Sequence, residues 1–166
     1  MSGYLTSGVL FVHSAPRALC PHIEWAAGNV LGESVSFDWT EQPAARGLLR
    51  AEYSWAAGAG TGAQLASALR GWEHLRYEVT EDASYGSDGA RWSHTPELGI
   101  FYSQADVHGN VVISEDRVRR ALAVAHDARA MRSALDLALG TAWDDELEPF
   151  RYAGAGAPVR WLHRVS

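Results

Sequence analysis

Within its first 80 residues the sequence runs twice through the same change of period, and this restricts the fold to few layouts. Gly8 to Val12 (GVLFV) is apolar at successive positions, as in a central strand covered on both faces. Pro16 suits a first helical position, and Leu19, Ile23, Ala26, Ala27, Val30 and Leu31 recur at helical spacing up to Gly32. Val35, Phe37 and Trp39 then alternate with Ser36, Asp38 and Thr40, the pattern of a half-buried strand. A connection containing Pro43 and Gly47 leads to a second round. Leu49, Ala51, Tyr53 and Trp55 alternate with polar residues, and Gly58, Gly60 and Gly62 form a loop. A helix from Thr61 or Gly62 carries Leu65, Ala68, Leu69 and Trp72, and Leu75, Tyr77 and Val79 alternate again. The halves align without gaps at a shift of forty, with Phe37 on Tyr77, Asp38 on Glu78 and Thr40 on Thr80. Two βαβ units in this order predict a ferredoxin-like sheet with both helices on one face. The other face would show Ser36, Asp38, Arg50, Glu52, Arg76 and Glu78. Alternating acid and base there reads as a solvated face, or as a docking surface for the rest of the chain or for a partner.

Beyond Thr80 the pattern changes. Glu81 to Ala90 (EDASYGSDGA) reads as a long turn or mobile loop. Gly99 to Tyr102 reads as a strand, with Thr95-Pro96 at its start, and Asp106 to Asn110 as a turn. Val111 to Ile113 pairs back as a short strand. Ser114 suits an N-cap, and Glu115 and Asp116 suit a first helical turn. From Val118 through Ala121, Leu122, Ala125, Ala128, Met131, Leu135 and Ala138 to Leu139, one apolar stripe runs up to Gly140. It fits one long helix, or two broken near His126-Asp127. Asp144 to Glu148 is an acidic stretch that Pro149 ends. Gly154 to Pro158 reads as a linker-like loop, and Val159, Trp161 and Leu162 are expected to pin the C-terminus. The whole predicts a single α+β domain over residues 1–166: a ferredoxin-like core at 8–80, extended by a hairpin and C-terminal helices over 95–166.

Charge and composition exclude several function classes. All 14 basic side chains are arginine, so Schiff-base chemistry, pyridoxal phosphate anchoring and a P-loop lysine are ruled out. A net charge of −6 argues against nucleic acid or an anionic membrane as the main partner. The first eight residues lack a positive n-region, and Gly8 to Val12 is too short for a signal h-region or a membrane span. With Cys20 as the one cysteine, an internal disulfide is excluded, and a cytoplasmic location is expected.

Two groups of residues could carry function. The first is the segment His13 to Trp25, where the first strand meets the first helix. A helix N-terminus binds anions and lowers thiol pKa values, so Arg17 could anchor a phosphate or carboxylate. Cys20 with His13 or His22 could form a nucleophile–base pair, and Glu24 lies within reach in sequence. The simpler reading makes Cys20 a small buried hydrophobe. Cys20-x-His22 is not zinc spacing, and no metal or cofactor motif is present. Gly58-x-Gly60-x-Gly62 lacks the spacing of a dinucleotide loop. Asp38 and Glu78 form a duplicate carboxylate pair with no stated task. The second group is Arg117, Arg119, Arg120, Arg129 and Arg132, nearly balanced by Glu115, Asp116, Asp127 and Asp136. It reads as a salt-bridged surface, or as a dock for an acidic partner such as a carrier protein.

The segments GVLFVHSAPRALCPHIEWA (8–26), FDWTEQPA (37–44), LASALRGW (65–72), LRYEVTED (75–82), TPELGIFY (95–102) and ISEDRVRRAL (113–122) resemble an actinobacterial family. It is catalogued as domain-of-unknown-function family 3145, and the resemblance spans nearly the whole chain. The resemblance implies a cytoplasmic accessory role near acyl-chain synthesis, beside whose genes those of the family lie. It brings no catalytic residues to carry over. The expectation is a non-catalytic accessory or regulatory protein acting on a fatty-acid-synthesis enzyme or carrier protein, such as an acyl-CoA carboxylase component. The candidate contact residues are His13, Arg17, Cys20, His22, Glu24, Arg117, Arg120, Arg129 and Arg132. The alternative is a binder of acyl-CoA or another anion, or an enzyme, using the 13–24 segment. Self-association is compatible with either.

Overall fold

A computed structural model describes residues 4–152. Seven strands form one antiparallel sheet: β1 (Leu5–Pro16), β2 (Thr40–Glu41), β3 (Leu48–Gly58), β4 (Arg76–Glu81), β5 (Gly89–Thr95), β6 (Gly99–Ala105) and β7 (Val111–Val112). Five helices join them: α1 (Cys20–Leu31), α2 (Thr61–Leu69), α3 (Glu115–Val124), α4 (Ala128–Leu139) and α5 (Thr141–Arg151). The sheet order is β2-β3-β1-β4-β5-β6-β7. Its first four members stand in the order of a split βαβ sheet, as the repeat predicts. The α+β class holds, and β5, β6 and β7 extend the sheet beyond β4.

The core lies between one sheet face and the helix pair α1–α2. Leu10, Val12, Ala51, Tyr77 and Val79 pack from the sheet onto Ile23, Ala26, Ala27, Leu65 and Leu69. Burying each large apolar side chain of this set contributes about 2 kcal/mol. The Tyr77 hydroxyl donates to the Ala66 carbonyl at 2.9 Å, so its polar end is satisfied inside the core. Gly8 permits a close approach that no other residue allows. A Cβ there would lie 1.9 Å from the Thr80 carbonyl oxygen and 2.5 Å from the Trp55 ring.

Several sequence expectations are corrected. Val35 to Trp39 alternates but joins no ladder, and β2 spans Thr40–Glu41 alone. The Phe37 N–H donates to Glu24 instead of to a neighbouring strand. Helix α1 starts at Cys20 with Pro21 in its first turn, because β1 runs on to Pro16. The loop expected up to Ala90 ends earlier, as β5 starts at Gly89. Of the two readings of the stripe from Val118 to Leu139, the one with a break near His126-Asp127 holds: it is two helices, and Asp127 caps the second by accepting from Ala130 N–H at 2.7 Å. Ser114 takes the N-cap position of α3 without a side-chain bond. The acidic stretch is not ended by Pro149. It belongs to α5, which continues through that proline to Arg151. Pro149 has no N–H to donate, so α5 forgoes one backbone bond in its last turns. Val159, Trp161 and Leu162, expected to pin the C-terminus, lie outside the described residues.

Most consequential is the second sheet face, which is not simply solvated. Helix α5 packs across β1 and β5 and covers its centre. At the junction of α4 and α5, Gly140 has φ +73°, and a Cβ there would lie 2.4 Å from the Phe101 ring. That close approach lets α5 turn back onto the sheet. Among the described residues no helix is long and apolar enough to cross a membrane.

Candidate functional site

The 13–24 segment is scattered by the fold. His13 is the bulged residue between Val12 and Ser14 of β1 and points onto the second sheet face. Its Nε2 lies 2.7 Å from Glu78 Oε2. Arg17 is exposed and faces Glu41 at 3.5 Å, a surface pair worth little. Cys20 is buried in the core, with its Sγ 3.7 Å from the Pro16 carbonyl. His22 is exposed on α1. Glu24 Oε1 accepts from the Phe37 N–H at 2.8 Å and from the Trp39 indole N–H at 2.9 Å. Glu24 therefore fastens the extended segment before β2 to α1.

The thiol is not activated. Burial pushes the Cys20 pKa up, the Glu24 carboxylate adds to that, and Arg17 offsets it only in part. This reverses the expectation of a lowered thiol pKa at a helix start. Aromatic disulfide reagents at neutral pH should label the native thiol on the order of 100-fold more slowly than the denatured chain. Equal rates would place Cys20 within reach of solvent and reopen it as a nucleophile.

The charged groups that the fold does bring together lie under α5. Glu78, central on β4, is 0% exposed. Its carboxylate accepts from His13, from Ser93 Oγ at 3.1 Å, and from Arg151 through Nε at 2.9 Å and through a terminal guanidinium nitrogen. Arg91 stands 3.5 Å from the same carboxylate. Asp144, one turn into α5, binds Arg91 at 2.6 Å and Arg151 at 2.9 Å. Burial alone would raise the Glu78 pKa. The His13 hydrogen bond and the charges of Arg151 and Arg91 outweigh it and hold the carboxyl well below the usual range. The same carboxylates keep buried Arg151 charged against its own desolvation. Nearby, Gln42 Nε2 donates to the His13 carbonyl at 2.7 Å and to the Phe150 carbonyl at 3.2 Å. Arg76 stacks over the Phe150 ring at 4.4 Å.

This network faces the chain's own helix, and its central carboxylate is enclosed. Its chemistry is that of a latch: opposite charges fix the position of α5 on a polar sheet face. Asp38, the repeat partner of Glu78, is exposed and belongs to no strand, so the duplicate pair is not assembled. Glu81 takes the start of α2, accepting from Gly60 N–H at 2.8 Å and Gly62 N–H at 2.7 Å. The glycine loop is thus closed by a carboxylate of the chain itself. Among the described residues no group of three His, Cys, Asp or Glu is placed to hold a metal ion.

Asp144, Arg91, Ser93, Gln42 and Arg151 were not legible as site residues. Asp144, Leu147 and Arg151 recur at helical spacing, and that signal is masked once Pro149 is read as a stop.

The second candidate group is assembled differently. Helices α3 and α4 pack on each other, and α4 on α5. Among the described residues of these two helices only Ala121 and Ala138 are fully buried. Leu122 is 61% exposed, Val124 69%, Leu137 63% and Leu139 41%. Arg119 pairs with Glu115 at 2.5 Å. Arg117, Arg120, Arg129 and Arg132 are exposed and make no ion pair with a described residue. The expected salt-bridged surface is thus present at one arginine of five. A search of the curated proteins returns no match, and a search of the solved structures returns none either. A protein-family model does match over residues 9–164, and on that span the chain belongs to its family, described as protein of unknown function (DUF3145).

Proposed function

We propose that the chain is a non-catalytic accessory binding protein that engages a protein partner through the α3–α4 hairpin. One observation carries this reading: Leu122 and Leu139 of the apolar stripe, and Val124 and Leu137 outside it, stand in solvent on two helices that also carry four unpaired arginines. The residues of the 13–24 segment support it by contrast, since His13, Cys20 and Glu24 are spent on the fold. The family resemblance supplies the setting, and the proposed partner is an acidic enzyme or carrier protein of fatty-acid synthesis. Segment 114–140 carries five arginines against four carboxylates, so this hairpin is about one unit positive on a chain of net charge −6.

Capture from native lysate tests the proposal. The wild-type chain should retain a fatty-acid-synthesis enzyme or carrier protein under gentle salt, and the L122D/L137D variant should not. Retention of the same protein by the variant, or recovery of no such protein by the wild type, overturns it.

A further inference from the structure

We infer that a second site, separate from the hairpin, binds a small aliphatic amino acid as its zwitterion. The site is a cavity of about 240 Å³ on the second sheet face, beside the latch. Arg91 of β5 and Asp82, just after β4, both line it. Thr80, also in the lining, pairs with Arg91 across the β4–β5 ladder. Asp82 lies two residues beyond Thr80, and its N–H bonds to the Ser7 carbonyl at 2.8 Å, so it keeps to the same face. Diagonal neighbours of this kind stand roughly 7–8 Å apart. No ion pair joins Arg91 to Asp82. Arg91 has donors to spare. Its bonds to Asp144 at 2.6 Å and to Glu78 at 3.5 Å both run through one terminal guanidinium nitrogen. Its Nε and its other terminal nitrogen bond to no described residue and are not closed off from solvent. Asp82 gives one oxygen to the Ser7 hydroxyl at 2.6 Å, which leaves the other. The two further carboxylates of the lining are engaged. Glu81 accepts from Gly60 and Gly62, and Asp106 accepts from its own loop through both oxygens. Ala83, Ala105 and Val107 supply short apolar wall. A cation, an acidic oxygen and methyl groups thus meet in one small space. They match the carboxylate, the ammonium and the aliphatic side chain that an amino acid carries on one carbon. A plain carboxylate would leave Asp82 without counter-charge, and a plain amine would face Arg91. The volume lies below the roughly 300–1,000 Å³ of pockets that hold drug-sized ligands, which limits the occupant to a small molecule.

Titration calorimetry and thermal denaturation of the full chain test this with L-valine and two analogues. The first, 3-methylbutanoate, lacks the amine, and the second, 2-methylpropan-1-amine, lacks the carboxylate. L-Valine at about fivefold its dissociation constant should raise the melting temperature by roughly 2–4 °C. Each analogue should bind about tenfold more weakly, since each leaves one charge of the site unpaired. Asp82→Asn keeps an acceptor for Ser7 but removes the charge, and should weaken L-valine binding about tenfold. Ala105→Leu fills the cavity and should abolish binding. The L122D/L137D variant should bind L-valine as the wild type does, so the fate of the hairpin reading leaves this site untouched. The proposal is overturned by the absence of a shift with L-alanine, L-valine and L-leucine. Equal affinity for either analogue overturns it too, as does undiminished binding by D82N or A105L. The analogue series needs only the wild-type chain, so a variant that fails to fold does not shield the proposal.

Discussion

Replacing Glu78 with Gln is expected to lower the unfolding free energy by about 3–5 kcal/mol, the cost of removing one partner from a buried ion pair. For a chain of this length that corresponds to a fall in melting temperature of roughly 10 °C. The amide keeps the shape of the carboxyl group but removes the charge that Arg151, Arg91 and His13 share. Asp144 then stands alone against the buried guanidinium of Arg151 and the partly buried one of Arg91. The same substitution should change the acid limb of stability. The folded-state pKa of Glu78 is depressed, so its contribution is complete above the unfolded value of about 4.3 and is lost as pH falls below it. Urea unfolding between pH 7 and pH 3 should therefore show a wild-type curve that falls more steeply below about pH 4.5 than that of E78Q. His94 sharpens the comparison. Burial holds its pKa down, so its contribution is full above about pH 6.5 and fades as the pH drops. That component is common to both proteins, so the difference between the curves isolates Glu78. Parallel curves, or a loss below about 1 kcal/mol at pH 7, would remove the latch from the account.

What the sequence made legible follows from periodicity. β1, α1, β3, α2 and β4 bury one continuous apolar face; β3, β4, α1 and α2 show a period of two or 3.6, and β1 is a continuous apolar run. Their order alone leads to the observed arrangement of the first four strands. The remainder fails for particular reasons. Val35, Phe37 and Trp39 alternate because Phe37 enters the core and Trp39 packs against it, while Glu24 replaces the ladder. Alternation reports which side is buried and is silent about what the backbone bonds to. Strand β5 reads as polar because one of its faces meets the charged network, where Arg91 and Ser93 are inward-facing. Helix α5 hides behind Pro149. The repeat equates Asp38 with Glu78, yet β4 is interior to the sheet and Asp38 precedes a two-residue edge strand. Burial of a charge is a property of the finished sheet, and no local pattern encodes it. The cluster at 13–24 is dense in sequence and dispersed in space, since a bulge, a helix start and a helix interior aim its side chains apart.

Truncating leucines on neighbouring helices should give opposite results. Leu147→Ala is expected to cost about 2–5 kcal/mol. Leu147 is fully buried on α5, between the latch residues Asp144 and Arg151, so the cavity opens where α5 meets the sheet. Leu122→Ala and Leu137→Ala are expected to stay within about 0.5 kcal/mol of the wild type. Both leucines are mostly in solvent, and alanine sustains a helix as well as leucine does. The removed group is the same in all three variants, so helix propensity and side-chain chemistry cancel, and burial alone separates them. Urea unfolding at neutral pH measures the difference. Hydrogen exchange should locate it, with Leu147→Ala speeding the amides of α5 and the two surface variants leaving them unchanged. A cost above about 1.5 kcal/mol at Leu122 or Leu137 would mean that the chain itself covers this face. The hairpin would then be a packed element of the fold, and the partner site would have to be sought elsewhere. A negligible cost leaves Leu122 and Leu137 as large apolar side chains in solvent that do nothing for folding, which is the condition a binding surface must meet.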